Sequence, residues 1–540
     1  MGYNFLINPL KILQPQSQIS EQQLKKGLRW LTLEGAVSNG FSSIIGSGFL
    51  AAFALALGAN NLQIGLLAAI PSITQMLQIA AIFLIEKYRR RKLITVMTWF
   101  PAQLLWLLIA AIPFVFPVPG YKAVVVLLSV MIIRGLLGAI TNCGWNTWVC
   151  DLVPKNILGN FFARRTILST LATVIFGLGG AYFVDYWEGA GSGIQAYGYV
   201  IAFGALFMGL LSPIFMSLMP EPFMQSPPGS VPRQKMILSP LKDHNFKWLL
   251  VFFFFWSLAS NLALPFFSVY MLQKIGVSVS TVISLYVVSQ LFSILFLRVW
   301  GSLIDKFGNK IILSLSTSLY LLVILGWIFT LTPDRYFLTI PLLIILHIFA
   351  GIASAGVGLA TSTIGLKLAP RSETTSYLGS ISLSLNIGSG LGPILGGFLA
   401  DFFSQRHFDL TLTWSSPAYS TQIQALSITG FSFLFAIAFI LGIITLNFLS
   451  NLHEEGEVNR SVVLDSLMAP VRELSRPIHW LRPHQAAHDI LYRYFKKIPL
   501  PGLDVALSVA AYQIASAAKA IIKIISLIAK FNKKWILNRG

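Results

Sequence analysis

Long apolar stretches recur along nearly the whole chain, separated by short polar segments. Each is close to or above the roughly 20 residues that a helix needs to cross about 30 Å of hydrocarbon. Backbone polar groups must be satisfied internally in lipid, so these stretches are predicted to be helices. Their bounds lie near residues 29–57, 62–85, 94–117, 122–150, 166–187, 194–219, 246–271, 280–300, 311–331, 337–366, 375–403 and 424–450.

The twelve predicted spans form two related sets of six. Pro154 and Asp185 are 31 residues apart, and Pro370 and Asp401 repeat that spacing. This predicts an all-α membrane protein of twelve transmembrane helices in two pseudo-symmetric six-helix halves. The predicted parts are a cytoplasmic N-terminal segment (1–28), the two halves (29–219 and 246–450), a cytoplasmic linker (220–245) and a cytoplasmic tail (451–540). Asp185 and Asp401 should lie at the outer rim, where we expect a structural role.

Composition and charge support this interpretation. The chain is 55% hydrophobic and only 11% charged, against about 25% charged residues in soluble domains. With a cytoplasmic N-terminus, 21 Lys and Arg residues before residue 451 lie on the inner side and four on the outer side, as the positive-inside rule requires. The net charge of +19 therefore indicates topology and not nucleic-acid binding. A chain without an evident cleavable signal fits a bacterial or a plastid-type inner membrane, and we expect a bacterial inner membrane.

A charged motif occurs twice, at matching places in the two halves. After the eighth span the chain reads Gly301-Ser-Leu-Ile-Asp305-Lys306-Phe-Gly308-Asn-Lys310, and after the second it reads Ile85-Glu86-Lys87-Tyr-Arg89-Arg90-Arg91. The chain resembles the major facilitator superfamily, whose loops at these places read Gly-x-x-x-Asp-Arg/Lys-x-Gly-Arg-Arg/Lys. The first copy departs from the pattern, with Glu86 for Asp and Arg89 for Gly. The resemblance implies a central cavity lined mainly by helices 1, 4, 7 and 10.

The motif predicts a gate between the halves. An acid at a helix end can accept hydrogen bonds from the N-terminus of a neighbouring helix, and the basic residues can bridge to its carboxylates. Such contacts form in one state of a rocking transporter and break in the other. Plain topological charge is the alternative, most clearly for the arginines. The gating candidates are Asp305, Lys306, Gly308, Lys310, Glu86, Lys87, Arg90 and Arg91.

Two charged residues inside spans are candidates for proton coupling. Arg134 stands in Arg134-Gly-Leu-Leu-Gly138 on helix 4, a sequence similar to the family's Arg-x-x-Gln-Gly motif with Leu137 for Gln. In proton-coupled members of the family that arginine is linked to a titrating acid. Glu34 on helix 1 is a candidate for the acid, although it could instead reach water or pair with Lys25, Lys26 or Arg29. A charge at such a depth should have a partner or a task.

A sparse set of neutral polar and aromatic residues could contact a solute, although many could equally join helices. The candidates are Asn39, Asn142, Trp145, Asn146, Trp256 and Asn261, with Ser354 on the tenth span. Their chemistry favours an amphipathic or weakly charged solute over a polyanion. On span 11, glycines at positions 388, 392, 396 and 397 suit close helix packing.

The tail contains a second kind of membrane contact. Polar side chains repeat at 11-residue steps over about 503–537, which keeps them on one straight face of a helix. This predicts an amphipathic helix on the membrane surface, with lysines beside anionic headgroups. A thirteenth span, the alternative, would place several lysines on the outer side.

These features favour a secondary active transporter that moves a small solute by alternating access, coupled to an ion that we expect to be a proton. We expect a monomer without a cofactor. The chain has no Walker loop and no His-Glu-x-x-His sequence, so neither nucleotide hydrolysis nor a zinc peptidase is indicated. A non-transporting sensor or scaffold with the same fold stays an alternative, and a membrane-embedded enzyme has the least support.

Overall fold

A computed structural model describes residues 13–154, 157–191, 193–224, 239–331, 337–370, 373–415 and 420–454. Within these ranges, eleven helical segments are long and apolar enough to cross a membrane, and a helix pair bent by 40° supplies a twelfth. In chain order the spans are 1 (Glu21–Ala56), 2 (Asn61–Gln75 and Gln78–Tyr88), 3 (Arg91–Val115), 4 (Tyr121–Leu152), 5 (Leu158–Gly189), 6 (Gly193–Leu218), 7 (His244–Ile275), 8 (Val279–Phe307), 9 (Asn309–Thr330), 10 (Thr339–Leu368), 11 (Thr374–Phe403) and 12 (Phe431–Ser450).

The predicted twelve-helix, two-half architecture is confirmed. Odd-numbered spans begin at one end of the bundle, here called the linker side because span 6 ends and span 7 begins there; the opposite end is the far side. Span 1 is broken into Glu21–Ile44 and Ser47–Ala56. Spans 6 and 7 each contain a π-helical turn, at Ala205–Gly209 and Met271–Ile275.

The described residues also include an antiparallel hairpin at the far side, which the sequence analysis did not predict. Strand β1 (His407–Ser415) pairs with β2 (Ser420–Thr429) before span 12 begins at Phe431. The predicted start of span 12 near 424 is therefore wrong. Ser, Thr and Gln alternate with apolar residues through much of β2, and that period of two belongs to a strand. The predicted tail helix lies outside the described residues.

Glycines bring span 11 into close contact with both halves. A Cβ at Gly388, Gly392 or Gly396 would stand 2.3–2.7 Å from a backbone oxygen of span 7. On the other side of the helix, a Cβ at Gly397 would stand 2.4 Å from the Asn61 oxygen of span 2. The Gly65 position on span 2 is equally close to the Pro393 oxygen, at 2.2 Å. Spans 2 and 11 thus meet backbone to backbone across the two halves.

The repeated motif differs in backbone conformation between its two copies. Arg89, which ends the second helix of span 2, has φ +52° and ψ +30°, a left-handed conformation. Gly308 ends span 8 with φ +89° and ψ +165°, a region that only glycine enters readily. The left-handed region costs a side chain about 1–2 kcal/mol. An arginine can therefore occupy the glycine position of the motif in the first copy, where it is Arg89. At Gly308 in the second copy, an arginine would be under greater backbone strain.

We predict that Arg89→Gly raises thermal stability in detergent by about 0.5–1 kcal/mol, because glycine removes the steric cost at positive φ and the side chain is exposed. The neighbouring Arg90→Gly is the matched control, since Arg90 has φ −125° and glycine there only adds freedom to the unfolded chain. A melting temperature for Arg89→Gly at or below that of Arg90→Gly would contradict the prediction.

Candidate functional site

A buried ion pair lies inside the N-terminal half. Glu34 of span 1 is 2% exposed, and its Oε2 accepts a 2.9 Å hydrogen bond from Arg165 Nη2 of span 5. Ser212 of span 6 donates to the other oxygen, Oε1, over 3.3 Å. The next residue, Gly35, makes room for the arginine, because a Cβ there would stand 2.6 Å from Arg165 Nε. The partner of Glu34 is thus Arg165, and not Lys25, Lys26 or Arg29.

A chain of polar and aromatic contacts leads from this ion pair to Arg134. Trp99 Nε1 of span 3 donates a 3.0 Å hydrogen bond to Ser212 Oγ, the same hydroxyl that donates to Glu34. The Arg134 guanidinium lies over the ring of Trp99 at 5.7 Å and over Trp106 at 4.7 Å. Arg134 and Glu34 form no direct ion pair with each other. Ser212 and Trp99 lie between the two charged residues.

Arg134 borders a cavity of about 570 Å³ between the two halves, at the middle of the spans. The first half contributes residues from span 1, at and after its break, and from spans 2, 3 and 4, and the second half contributes residues from spans 7 to 10. The lining residues are Ile45, Leu50, Ala51, Ile64, Leu67, Ala68, Pro71, Trp106, Met131, Arg134, Asn261, Leu264, Pro265, Phe267, Tyr286, Ser289, Tyr320, Trp327, Leu346, His347, Ala350 and Ser354. Among these described residues, Arg134 is the one permanent charge.

Aromatic rings and small polar groups form the wall contributed by the second half. His347 is 4% exposed, and its ring packs edge-on against Tyr286 and Trp327. Its Nδ1 lies 2.8 Å from the Leu343 carbonyl oxygen. That oxygen can only accept, so Nδ1 carries a proton. Asn261 Nδ2 donates to the Ser257 carbonyl over 2.9 Å, and its side chain also borders the cavity.

The predicted solute contacts are only partly brought together. Asn261 and Ser354 line the cavity, and Trp256 is buried against Tyr320, which lines it. The other four candidates are not among the residues that line the cavity. Asn39 donates a hydrogen bond to the Gly35 carbonyl of its own helix, and Trp145 lies beneath the Arg165 guanidinium. Asn142 and Asn146 are exposed. The sequence analysis did not single out three other residues that line the cavity, Trp106, Tyr286 and Ser289. In the sequence they do not differ from the other residues of their spans.

The gating candidates occupy the linker side, where the two copies of the motif differ in burial. Asp305 and Lys306 are exposed, as are Glu86, Lys87 and Arg90. Arg91 is 1% exposed. Its guanidinium bonds to Asp151 at 2.5 Å and to the Thr147 and Pro222 carbonyls, none of which belongs to the second half. Asp305 makes no hydrogen bond or ion pair with any described residue, so a contact between the halves would have to form in another state.

Two further carboxylates lie on the N-termini of spans 3 and 9, also on the linker side. Glu221 accepts a 2.7 Å hydrogen bond from the Arg91 backbone, and Glu454 accepts bonds from the backbones of Asn309 and Lys310 at 3.1 and 2.7 Å. Burial raises the pKa of Glu221, against the opposing effect of its bonds to Arg91 and Lys92. Burial also acts to raise the pKa of Glu454, but its bonds to Lys367, Lys310 and Asn309 together hold that pKa below the usual range.

At the far side, two aspartates join the halves. Asp185, at the end of span 5, accepts hydrogen bonds from the Val279 and Ser280 backbones at the start of span 8, at 3.0 and 2.9 Å. Asp401, at the end of span 11, accepts bonds from the Leu62 backbone and from both nitrogens of Asn61 at the start of span 2. A carboxylate is favourable at a helix N-terminus. Asp185 and Asp401 therefore hold the two halves together at the far side.

Comparison with known proteins agrees with this architecture. The family model of the Major Facilitator Superfamily matches residues 35–338 and 248–461. A multidrug resistance efflux pump of Streptococcus pneumoniae, PmrA, is 29% identical over 27% of this chain and 35% of its own length. An uncharacterised MFS-type transporter of Methanocaldococcus jannaschii is 25% identical over 67% of this chain and 89% of its own. The match to PmrA spans about a third of the length of that pump.

Solved structures show the same fold. A crystal structure of a mutant of the nucleoside transporter NupG has a TM-score of 0.60 at 14% identity and covers 79% of this chain and all of its own. A POT family transporter in complex with 5-aminolevulinic acid has a TM-score of 0.56 at 13% identity, covering 83% of this chain and all of its own.

The apolar spans define an integral, multi-pass membrane protein, and its fold is one shared with solved transporters. The chain belongs to the Major Facilitator Superfamily.

We predict that Asp401→Asn opens the far side. Asparagine keeps the shape of the cap but removes its charge, at a cost of about 1–2 kcal/mol. That cost would raise the population of a state with the far side open about 5- to 30-fold. Spin labels at the exposed loop residues Val118 and Phe337, one on each half, should show longer distances. The control is Glu188→Gln, which alters a different carboxylate that is exposed at the far side. Identical distance distributions in the parent and in Asp401→Asn would show that the Asp401 cap does not hold the far side together.

Proposed function

We propose that this chain is a secondary active transporter that moves a small solute across a membrane by alternating access, coupled to protons. The observation that carries the proposal is the cavity between the two halves at mid-span, with the far side latched by Asp185 and Asp401. A site between two bodies that rock against each other can face each side in turn. The linker side is assigned to the cytoplasm on the distribution of Lys and Arg.

Uptake of a labelled compound library into proteoliposomes tests the proposal directly. We expect at least one solute to enter faster than into empty vesicles and to accumulate when a pH gradient is imposed. Absence of uptake for every compound, with the protein folded and reconstituted in both orientations, would favour a sensor or scaffold.

The coupling site that we propose is Glu34 with Arg165 and Ser212. Protonation of Glu34 would break the ion pair and free Arg165, which also stacks on Trp145. It would also change the hydrogen bond of Ser212, whose hydroxyl accepts from Trp99 below Arg134. A proton on one carboxylate could thereby alter the position of a charge that borders the cavity. Coupling needs such a contact between the proton site and the solute site.

We predict that Glu34→Gln abolishes pH-driven accumulation of the transported solute and preserves solute exchange, because glutamine cannot exchange a proton. Trp99→Phe keeps a ring beneath Arg134 and loses the bond to Ser212, so accumulation should fall while exchange continues. Glu21→Gln, an exposed acid on the same span paired with Lys25, serves as the control. Full accumulation in Glu34→Gln vesicles would remove Glu34 from the coupling mechanism.

The linker-side gate is proposed to be Asp305 with its neighbours. Because its exposed carboxylate makes no hydrogen bond or ion pair with the described residues, it is available to the opposite half when the linker side closes. We predict that Asp305→Asn slows transport at least several-fold and leaves solute affinity nearly unchanged, since the lost contact belongs to one state only. Equal transport rates in matched vesicles of the parent and the variant would exclude this role.

A further inference from the structure

We propose that the cavity takes an amphipathic solute with a single acidic group, and that Arg134 binds that group. This inference rests on the proposed transport function and names its substrate class. The acidic group is a carboxylate or a phosphoryl group; both present the oxygen pair that a guanidinium matches.

The first step concerns the charge of Arg134. It is the fourteenth of the 32 residues of span 4, far from either end. A full charge at that depth requires a counter-charge or a task. The guanidinium donates no hydrogen bond to any described residue and forms no ion pair with one, and its Nε is buried without an acceptor. The rings of Trp99 and Trp106 are its neighbours.

The second step concerns the acids that could neutralise it. Glu34 is bonded to Arg165 and Ser212, Asp401 to the start of span 2, and Asp185 to the start of span 8. None of the described residues that line the cavity is an acid. The cavity therefore presents one positive charge without a negative partner, which an anionic ligand would neutralise on binding.

The third step concerns the rest of the ligand. The walls are mostly aliphatic and aromatic, with Leu67 and Trp106 on one half and Phe267 and Trp327 on the other. A volume of about 570 Å³ lies within the range of sites for drug-sized molecules. A small inorganic anion would leave these apolar walls uncovered, and a polyanion would bring more charge than one arginine can match. An apolar body with a single acidic group suits both features.

Binding to the purified full-length protein in nanodiscs tests the inference, read out by quenching of tryptophan fluorescence. The probes share one body and differ in the head group: 4-phenylbutyrate, 3-phenylpropylphosphonate, 4-phenylbutanamide and 4-phenylbutylamine. At least one of the two anions should bind about 10-fold or more tightly than the amide, and the amine should bind most weakly. The ratio between the two anions identifies the preferred acidic group. Equal affinities, or no binding by either anion up to its solubility limit, would overturn the inference.

Substitution of Arg134 supplies a second, independent readout. Arg134→Gln should reduce the anion-to-amide preference to about 1, and Arg134→Lys should retain part of it. Arg298→Gln, which alters an exposed arginine on span 8, should leave it unchanged. Without ligand, Arg134→Gln should melt about 2 °C or more above the parent, because an unpaired charge has been removed. A purely structural arginine would give a lower melting temperature, and that result would also overturn the inference.

These measurements separate the inference from the transport proposal. Anion-selective binding that is lost in Arg134→Gln supports the site even if no vesicle assay detects transport. Conversely, coupled uptake of a neutral solute with no preference among the four probes would leave the transport proposal standing and refute the anion site.

Discussion

The seating of a carboxylate on the N-terminus of a neighbouring helix is the interaction on which this architecture depends. Glu221, just after span 6, caps span 3 of the first half, and Glu454, just after span 12, caps span 9 of the second half. Asp185 and Asp401 cap spans 8 and 2 across the boundary. Such a cap satisfies backbone N–H groups that the helix itself cannot, which matters most where water is scarce. Within the part of the chain that the structure describes, the same kind of cap thus stabilises the spans of each half, and it joins the two halves at the far side and not at the linker side.

Much of the fold was predictable because the membrane simplifies the problem. Length and apolarity identified the spans, and the repeat from Pro154–Asp185 to Pro370–Asp401 identified the two halves. The hairpin before span 12 was missed since Ile423, Ala425 and Leu426 look like the start of an apolar run. Hydropathy alone does not separate a short alternating strand from a helix end.

The candidate site was harder to predict, because it depends on which faces meet. The sequence drew attention to Arg134 and Glu34 as charges in apolar surroundings, and the structure places one at the cavity and the other in a buried ion pair. Their partners were hidden: Arg165 looked like one more basic residue at a helix start, and Ser212 and Trp99 were unremarkable. The one local signal was Gly35, whose missing Cβ leaves room for Arg165, and its meaning appears only once spans 1 and 5 are placed together.

The seam between spans 2 and 11 has a kinetic consequence. Main chain meets main chain where Gly65 faces Pro393 and where Gly397 faces Asn61. Few side chains interlock at these two points, although Ile73 of span 2 packs on Gly390 of span 11. Surfaces of this kind can part without waiting for rotamers to unlock, so little friction opposes their separation. The aspartates would then govern how often the far side is open, while the glycines govern how quickly it opens and closes. Replacing one of these glycines with a larger residue would then alter the rate of the transport cycle, although the residue contacts neither the solute site nor the proton site.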